Sequence, residues 1–315
     1  MRHTTTITRL ALHAATLAAA FTVLSCDGSE GMLPHSGGAP SEVLVTGQGC
    51  ECIVSTLGAD VPGLPQPEPM FDVKALTDNT LDATARLERN IVVTDIDSLR
   101  HSATTVRYER NVYARPQIII YVSSPSEQTL RRDIGCCHID RLLLRNELAH
   151  YAARLTSDTC STAKEIRKTF GCSMRLPKDV TIRKRGKNFI WLSDNNPLKS
   201  GNICIYTSEN RDSVMQRNIK GETDNTHMTT VAGSVVDVCQ ISDRCKVTTK
   251  RGLWQMTGDA MGGPFVSRAI TLPSGKTIVG EAFVFAPGER KRDKIRQLEA
   301  SLMTMKSDAE GCKDK

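Results

Sequence analysis

The stretch that most constrains the fold is Gly252–Arg268, GLWQMTGDAMGGPFVSR, near the end of a chain of 315 residues. It predicts two long strands joined through a tight turn, because its glycines let the backbone turn where a β-carbon would clash. Strand-like runs flank this stretch on both sides. We therefore expect it to lie in the middle of a C-terminal sheet.

The two halves of the chain carry different patterns. In the first half, near-continuous apolar runs such as Asn90–Ile96 predict strands that are covered on both faces. In the second half, short strands alternate with turns, and an amphipathic helix over Glu289–Met305 closes the fold. We predict an α+β fold of two packed subdomains, the second a mostly antiparallel sheet with a C-terminal amphipathic helix.

The predicted organisation has five parts. They are a lipoprotein signal peptide (1–25), a flexible tether (26–40), an N-terminal α/β subdomain (41–156), a C-terminal α+β subdomain (157–306) and a frayed, charged tail (307–315). Within the first subdomain, Pro62–Asp72 is rich in proline and predicts a rigid extended loop. Two capping boxes, Ser124–Glu127 and Thr162–Glu165, predict helix starts.

The N-terminus predicts the compartment. Arg2 and Arg9 precede an apolar run over Leu10–Leu24, which is shorter than the ~20 residues of a membrane-spanning helix. The run ends in Ser25-Cys26, and a small residue directly before a cysteine resembles a bacterial lipobox. We expect cleavage before Cys26, acylation of its thiol and amine with fatty acids such as palmitate, and attachment to a membrane. An ordinary secretory signal is the alternative.

Cysteine use fits an exported protein. The chain has 11 cysteines, and in an oxidising compartment they can form disulfides whose connectivity the sequence does not give. Cys239 and Cys245 flank a predicted turn and are the candidate disulfide. Cys172 and Cys204 lie in strand-like runs, where a buried small hydrophobe is expected.

The composition and the motifs exclude several classes of function and assign none. Net charge is only +6 and aromatic residues make up 4%, so we expect no nucleic-acid partner. No zinc-protease helix, phosphate-binding glycine loop or nucleophile elbow is present, and Glu147 with His150 forms a single Glu-x-x-His pair where a di-iron bundle needs two. We predict no metal, no cofactor and no catalytic residue.

A basic cluster marks the start of the last helix. It comprises Arg290, Lys291, Arg292, Lys294 and Arg296. Positive charge at this end opposes the helix dipole, so something must offset it, such as Glu289 or an anionic partner. A lipid headgroup or polysaccharide surface is one interpretation, and a solvated helix face is the other.

The candidate binding residues surround the central hairpin. They are Trp254, Asp259, Gly262, Gly263, Phe265 and Glu281. If Asp259 and Glu281 lie together and one of them is desolvated, they could perform acid–base chemistry. The alternative is a turn aspartate and a strand glutamate, with Gly262-Gly263-Pro264 forming a bend between paired strands.

Four runs resemble a family of Bacteroidota lipoproteins known as domain of unknown function 4837. They are PGLPQPEPMFDV (62–73), FGCSMRLPKDVTIRKRGKNFIWL (170–192), RGLWQMTGDAMGGPFVSR (251–268) and GEAFVFAP with KRDKIRQLEASL (280–302). The resemblance extends over nearly the whole chain after Cys26 and implies a cell-envelope lipoprotein without an assigned activity. The cysteines, notably Cys136-Cys137 and Cys239 with Cys245, depart from the family pattern.

Three functions remain open at this stage. The first is a lipid-anchored envelope protein, in the outer membrane by expectation, that is a non-catalytic binding or assembly module for envelope proteins or glycan. The second is an envelope hydrolase, for example on glycans, that uses Asp259 and Glu281. The third is a structural protein that braces an envelope complex. We lean against an enzyme.

Overall fold

A computed structural model describes residues 33–76, 80–208, 210–223, 225–241, 246–272 and 274–308. The described residues from Pro34 onward belong to one compact unit. It contains two large sheets, each with helices packed on it, so the predicted α+β class is confirmed. Within the described residues, no helix combines the length and the apolar composition that crossing a bilayer requires.

The first sheet has five strands in the order β2-β1-β3-β5-β4. They are β1 Glu42–Gly47, β2 Asp72–Ala75, β3 Asn90–Ile96, β4 Thr105–Arg110 and β5 Ile118–Ser124. Strands β2, β1, β3 and β5 are parallel, and β4 pairs antiparallel with β5 at one edge. The carboxyl ends of the four parallel strands therefore meet at one edge of this sheet.

Three helices pack on the first sheet: α1 Glu51–Leu57, α2 Glu127–Asp133 and α3 Ile139–Ala153. Their apolar side chains, such as Ile53 and Leu143, share one core with Val45 and Ile120 of the strands. This core explains why the strand runs are so continuously apolar.

The second sheet has eight strands, with the path β10-β12-β13-β14-β9-β8-β7 and β11 paired to β12. They are β7 Thr181–Gly186, β8 Phe189–Ser193, β9 Ser200–Tyr206, β10 Met228–Thr230, β11 Val236–Ile241, β12 Lys246–Met256, β13 Gly262–Thr271 and β14 Thr277–Phe285. All pairs are antiparallel. The hairpin of β12 and β13 lies inside this sheet, as the stretch Gly252–Arg268 predicted.

The two faces of the second sheet carry separate cores. On one face lie α4 Ser161–Phe170 and α6 Arg292–Met303, which bring Ile166 and Leu298 against strand residues such as Ile203. The other face meets α5 Arg211–Asn218, which contributes Met215 to an aromatic core. The predicted C-terminal amphipathic helix is thus α6.

Both helix caps differ from the capping boxes that the sequence predicted. The N-cap of α2 is Ser126, whose hydroxyl accepts the N–H of Thr129, and not Ser124. Ser124 is instead the last residue of β5, because strand pairing with β3 continues through that position. Helix α4 begins after Cys160, without a side-chain cap at Thr162.

The chain end is ordered slightly further than the predicted frayed tail. A two-residue strand β15, Lys306–Ser307, pairs with β6, Cys172–Ser173. Asp308 then accepts a hydrogen bond from Arg167 at 2.8 Å. Residues 309–315 lie outside the described residues.

Candidate functional site

The central hairpin holds Trp254 and Gly263 in direct contact. Trp254 is 2% exposed, and its indole N–H donates to the carbonyl of Val284 at 3.2 Å. A β-carbon on Gly263 would lie only 2.1 Å from that carbonyl oxygen and 3.1 Å from the indole nitrogen. The glycine is therefore required by strand packing. Gly262, which starts β13, pairs with Gln255 across the hairpin.

Glu281 lies in the aromatic core beneath α5 and is fully buried. Arg211 Nη2 donates to its Oε1 at 2.7 Å and Arg211 Nε donates at 3.0 Å, while the Tyr206 hydroxyl donates to Oε2 at 3.0 Å. The ring centroid of Phe265 lies 4.0 Å from Arg211 Cζ. Phe265 and Glu281 thus come together around an arginine that the sequence analysis missed.

Every N–H of the Arg211 guanidinium has a protein acceptor. Besides Glu281, these acceptors are Thr230 Oγ1 at 2.9 Å, Asp212 Oδ1 at 3.2 Å and Met228 Sδ at 3.6 Å. A guanidinium has five donors, so none is left for a ligand. The ion pair of Arg211 and Glu281 therefore connects α5 to the sheet and has a structural role. We call this pair the ion clamp.

The titration of this clamp follows from its burial. Burial raises the pKa of the Glu281 carboxyl, although Arg211 and Tyr206 oppose the rise. Burial and the charge of Glu281 raise the pKa of the Tyr206 hydroxyl. The pKa of the neighbouring Cys204 thiol is raised for the same reasons.

Asp259 lies apart from Glu281. It is exposed in the turn between β12 and β13, whereas Glu281 pairs with Ser267 near the middle of β13. Five residue steps of strand separate Gly262 from Ser267, which is about 17 Å, and Asp259 lies beyond Gly262. Paired glycosidase carboxylates lie within about 10 Å of each other, so the structure does not bring these two together.

The basic start of α6 is neutralised from within the protein. Glu68, at the end of the proline-rich loop, is 1% exposed and accepts the backbone N–H groups of Lys291 at 2.8 Å and Arg292 at 2.9 Å. It caps the helix from 223 residues away in the chain. Asp72 then pairs with Arg290 at 2.9 Å and with Arg292 at 2.7 Å. These contacts offset the charges of Arg290 and Arg292, and the Lys291 ammonium donates to the backbone carbonyl of Glu289 at 2.8 Å.

The cysteines of the described residues are free thiols. Burial raises the pKa of Cys172 to about 12 and raises the pKa values of Cys52 and Cys137. Cys26 and the side chains of the candidate disulfide, Cys239 with Cys245, lie outside the described residues. Across the described ranges, no three His, Cys, Asp or Glu side chains are arranged to hold a metal ion.

An open crevice of about 680 Å³ lies at the carboxyl edge of the parallel strands. Its walls come from the loop after β1, helix α1, the end of β2 and the start of α2, and they include Gln48, Cys50, Glu51, Ser55, Leu76 and Glu127. The connection that leaves β1 runs to β2 on one side, whereas the connection that leaves β3 runs toward β4 and β5 on the other side, so the carboxyl ends of β1 and β3 form a topological switch point. Ligands of open α/β sheets bind at such switch points.

The loop of the crevice is preformed by two glycines. Gly47 has φ +108°, and a β-carbon there would lie 2.1 Å from the carbonyl oxygen of Thr94. Gly49 has φ +66°, and its β-carbon would lie 2.8 Å from Glu127 Cγ. Thr94 Oγ1 also donates to the carbonyl of Gln48 at 2.6 Å. The sequence signal for this loop was Gly-x-Gly directly after a strand.

The crevice carries negative charge. Glu51 and Glu127 form no ion pair within the part of the chain that the structure describes. Burial, together with these two carboxylates, raises the pKa of the Cys50 thiol. The crevice therefore disfavours a thiolate nucleophile and an anionic ligand, and it favours a cationic group.

Fold and site together define an α+β protein of two sheets, with an acidic crevice at one sheet edge and a buried ion clamp in the other sheet. Residues 159–304 match the family described as Domain of unknown function (DUF4837), which is the family that the sequence resembled. Residues 41–155 match a second family, Domain of unknown function (DUF8532). The DUF4837 match is therefore shorter than the near-complete coverage expected from the sequence.

Solved structures share parts of the chain at low similarity. A Bacteroides thetaiotaomicron protein is 16% identical over 46% of this chain and 47% of its own, with a TM-score of 0.24. The protein Mog1, in a mutant form, is 9% identical over 44% of this chain and 92% of its own, with a TM-score of 0.27. The human StarD13 (DLC2) lipid transfer and protein localization domain is 12% identical over 47% and 98%, with a TM-score of 0.19.

These likenesses carry no argument about function, because their TM-scores are all below 0.5. The chain spans about half of the length of the Bacteroides protein. No curated protein matches the chain.

Proposed function

We propose that this protein is a lipid-anchored component of the cell envelope that acts as a binding module, with the crevice at the carboxyl edge of the first sheet as its binding site. The observation that carries the binding role is the crevice itself, a preformed opening of about 680 Å³ at a switch point of parallel strands. Glu51 and Glu127, which form no ion pair with any described residue, favour a ligand with a positively charged group, such as an amine.

The hydrolase alternative has weaker support. Glu281 is held by Arg211 and Tyr206 in a closed core, and Asp259 lies at the far end of a strand. An acid–base pair needs both groups within reach of one substrate. A binding or assembly role requires no such pair.

The envelope location is supported by the leader sequence. Leu10–Leu24 ends in a lipobox-like Ser25-Cys26, and the resemblance to Bacteroidota lipoproteins agrees with that reading. Two or more acyl chains on Cys26 would anchor the protein stably. We expect the outer membrane, with envelope proteins or glycan as neighbours.

The anchor is tested by labelling cells with an alkyne-bearing palmitate. The wild type should incorporate the label and remain in the membrane fraction, whereas Cys26→Ala should be unlabelled and released. Cys136→Ala is the matched control, because Cys136 is exposed and does not follow an apolar leader segment. A Cys26→Ala protein that stays labelled would contradict the proposal that Cys26 carries the lipid anchor.

The crevice is tested with three fluorescent tripeptides that differ only in a central Lys, Gln or Glu. The Lys peptide should bind best, and replacing both Glu51 and Glu127 by Gln should weaken it by tenfold or more. Glu222→Gln, an exposed acid outside the crevice, should bind like the wild type. Equal binding of the Lys and Glu peptides would reject the crevice as a site for cationic groups.

A further inference from the structure

A small cavity lies where the proline-rich loop and α6 meet the central hairpin. It has room of about 50 Å³, and its apolar wall includes Val61–Leu64 of the loop and Leu144 of α3. Its charged wall consists of Arg251, Arg292, Arg296 and Glu299. We call it the seam cavity, because its walls come from both the DUF8532 and the DUF4837 regions.

Two of these arginines are matched by carboxylates. Arg292 is 1% exposed and pairs with Asp72 at 2.7 Å and Asp293 at 3.0 Å. Arg251 pairs with Glu299, which uses the only carboxylate on the cavity wall. Neither arginine leaves an uncompensated positive charge.

Arg296 is different. Its residue is 4% exposed, and within the described residues it has no carboxylate at ion-pair distance. Its guanidinium makes one hydrogen bond there, from Nη1 to Ser41 Oγ at 2.7 Å. Asp293 reaches it only through that hydroxyl, and Asp293 already holds Arg292. An unpaired buried charge is costly.

The surroundings of Arg296 are consistent with an unmet positive charge. Burial and the neighbouring charge of Arg292 lower the pKa of Arg296 to about 10, although Asp293, Glu299 and Glu147 oppose this. The ring centroid of Phe71 lies 5.0 Å from its Cζ. A cation that contacts an aromatic ring and a single hydroxyl retains donors for a further acceptor.

We propose that the seam cavity binds a small monovalent anion, of the size of chloride or formate, with the Arg296 guanidinium as its main donor. The room of about 50 Å³ exceeds the ~10–15 Å³ that one water needs and holds an anion of this size. The anion neutralises the buried charge and joins α6 to the proline-rich loop. This site is distinct from the acidic crevice, which favours the opposite charge.

The first test locates the anion directly. Crystals of the full chain are soaked in sodium bromide, and anomalous diffraction is measured at the bromine edge. A bromide peak in the seam cavity within hydrogen-bonding distance of Arg296 supports the proposal. A cavity without a peak, or bromide bound only at the surface, overturns it.

The second test measures binding in solution. The thermal unfolding midpoint of the full chain is followed in sodium chloride and in sodium gluconate at equal ionic strength, because gluconate is too large for the cavity. Chloride should raise the midpoint with a saturable dependence, as expected for a ligand of the folded state. Equal midpoints in both salts would refute the site.

Two variants assign the effect to Arg296. Arg296→Met should lose the difference between chloride and gluconate. Arg290→Met should keep it, because Arg290 lies beside the same helix start but is 51% exposed in its side chain and pairs with Asp72. An undiminished chloride effect in Arg296→Met contradicts the proposal. If Arg296→Met does not fold, the bromide peak in the wild type still decides.

Discussion

Arg211, which is partly buried, and Arg296, which is buried, both lie beside an aromatic ring, yet they have different partners. Arg211 donates to a fully buried carboxylate and uses all of its donors within the protein. Arg296 lies at the seam and reaches a carboxylate only through the Ser41 hydroxyl. The first is a closed cluster inside the DUF4837 region, and the second is an open one where two regions of the chain meet.

This difference indicates which regions of the protein have polar groups available to bind a ligand. The sequence features that first drew attention, Trp254, Phe265 and Glu281, belong to a closed core in which polar atoms have partners. Unmatched charges instead lie at the acidic crevice and the seam. Tyr151, on the α3 helix that packs on α6, adds a buried hydroxyl that has no hydrogen-bond partner among the described residues.

The largest expected effect comes from opening the closed cluster. Glu281→Ala leaves Arg211 without its fully buried carboxylate and with only the more exposed Asp212 as an ionic partner; removing one partner of a buried pair costs about 3–5 kcal/mol. Urea unfolding measures this loss. Because Arg296 has no carboxylate at ion-pair distance among the described residues, Arg296→Met in chloride-free buffer should cost clearly less.

A paired replacement is the control for this prediction. Arg211→Met combined with Glu281→Leu removes both charges and should recover most of the lost stability, since apolar replacement of a buried pair is often near neutral. A double variant as unstable as Glu281→Ala would show that shape, and not charge, limits this core. A cost below about 1 kcal/mol for Glu281→Ala would remove the contrast between the two clusters.

The next effect concerns the strand that carries Phe265. Gly263→Ala places a β-carbon against the Val284 carbonyl and must displace the strand or the Trp254 hydrogen bond. Overpacking of this kind costs about 1–3 kcal/mol. Guanidinium unfolding followed by tryptophan fluorescence measures it.

Gly135→Ala is the matched control, because nothing lies within 4 Å of a β-carbon there and its φ is not positive. It should be neutral within about 0.5 kcal/mol. If both alanine variants are equally stable, the close packing of the two strands is not a constraint.

The hairpin and the fold class could be predicted because their signals are local. Gly252–Arg268 contains the turn and the adjoining parts of both strands, although β12 begins earlier, at Lys246, and β13 ends later, at Thr271. The choice between Ser124 and Ser126 as the cap was not local, since it depends on how far β5 pairs with β3.

The candidate site was harder to predict because its contacts join distant positions. Arg211 and Glu281 are 70 residues apart, and only the sheet brings them together. Glu68 and the start of α6 are 223 residues apart, so the sequence showed an unfavourable basic helix start but not its partner. The crevice loop carried a local signal, Gly47 and Gly49 after β1, but its two acidic walls belong to different helices.

A smaller effect is expected from Glu68, which caps the start of α6. Glu68→Gln removes the negative charge that accepts two backbone N–H groups of α6, which should cost about 1–2 kcal/mol. Urea unfolding is the measurement. Glu289→Gln, an exposed acid next to the same helix, should change stability by less than about 0.5 kcal/mol. Equal effects would mean that the loop does not cap α6.

The smallest expected effect is a pH dependence of the free energy of unfolding that arises from His150. His150 is half-buried on α3, and burial together with the charge of Arg89 lowers its pKa, although Glu147 opposes this. The unfolded chain, in which a histidine titrates near 6.5, then binds more protons than the folded chain at slightly acidic pH. The free energy of unfolding should therefore fall as the pH drops from 7.5 to about 5.5.

Removing the histidine isolates its share of that slope. His150→Gln should give a flatter dependence between pH 7.5 and about 5.5, where most carboxyl groups do not yet titrate. Urea midpoints of the two proteins at five pH values measure the difference. An identical slope in both would show that the fold tolerates a charged His150 beside Arg89. The positive charge of Arg89 would then be offset by Glu147, with which it pairs at 2.7 Å, so that no net repulsion acts on His150.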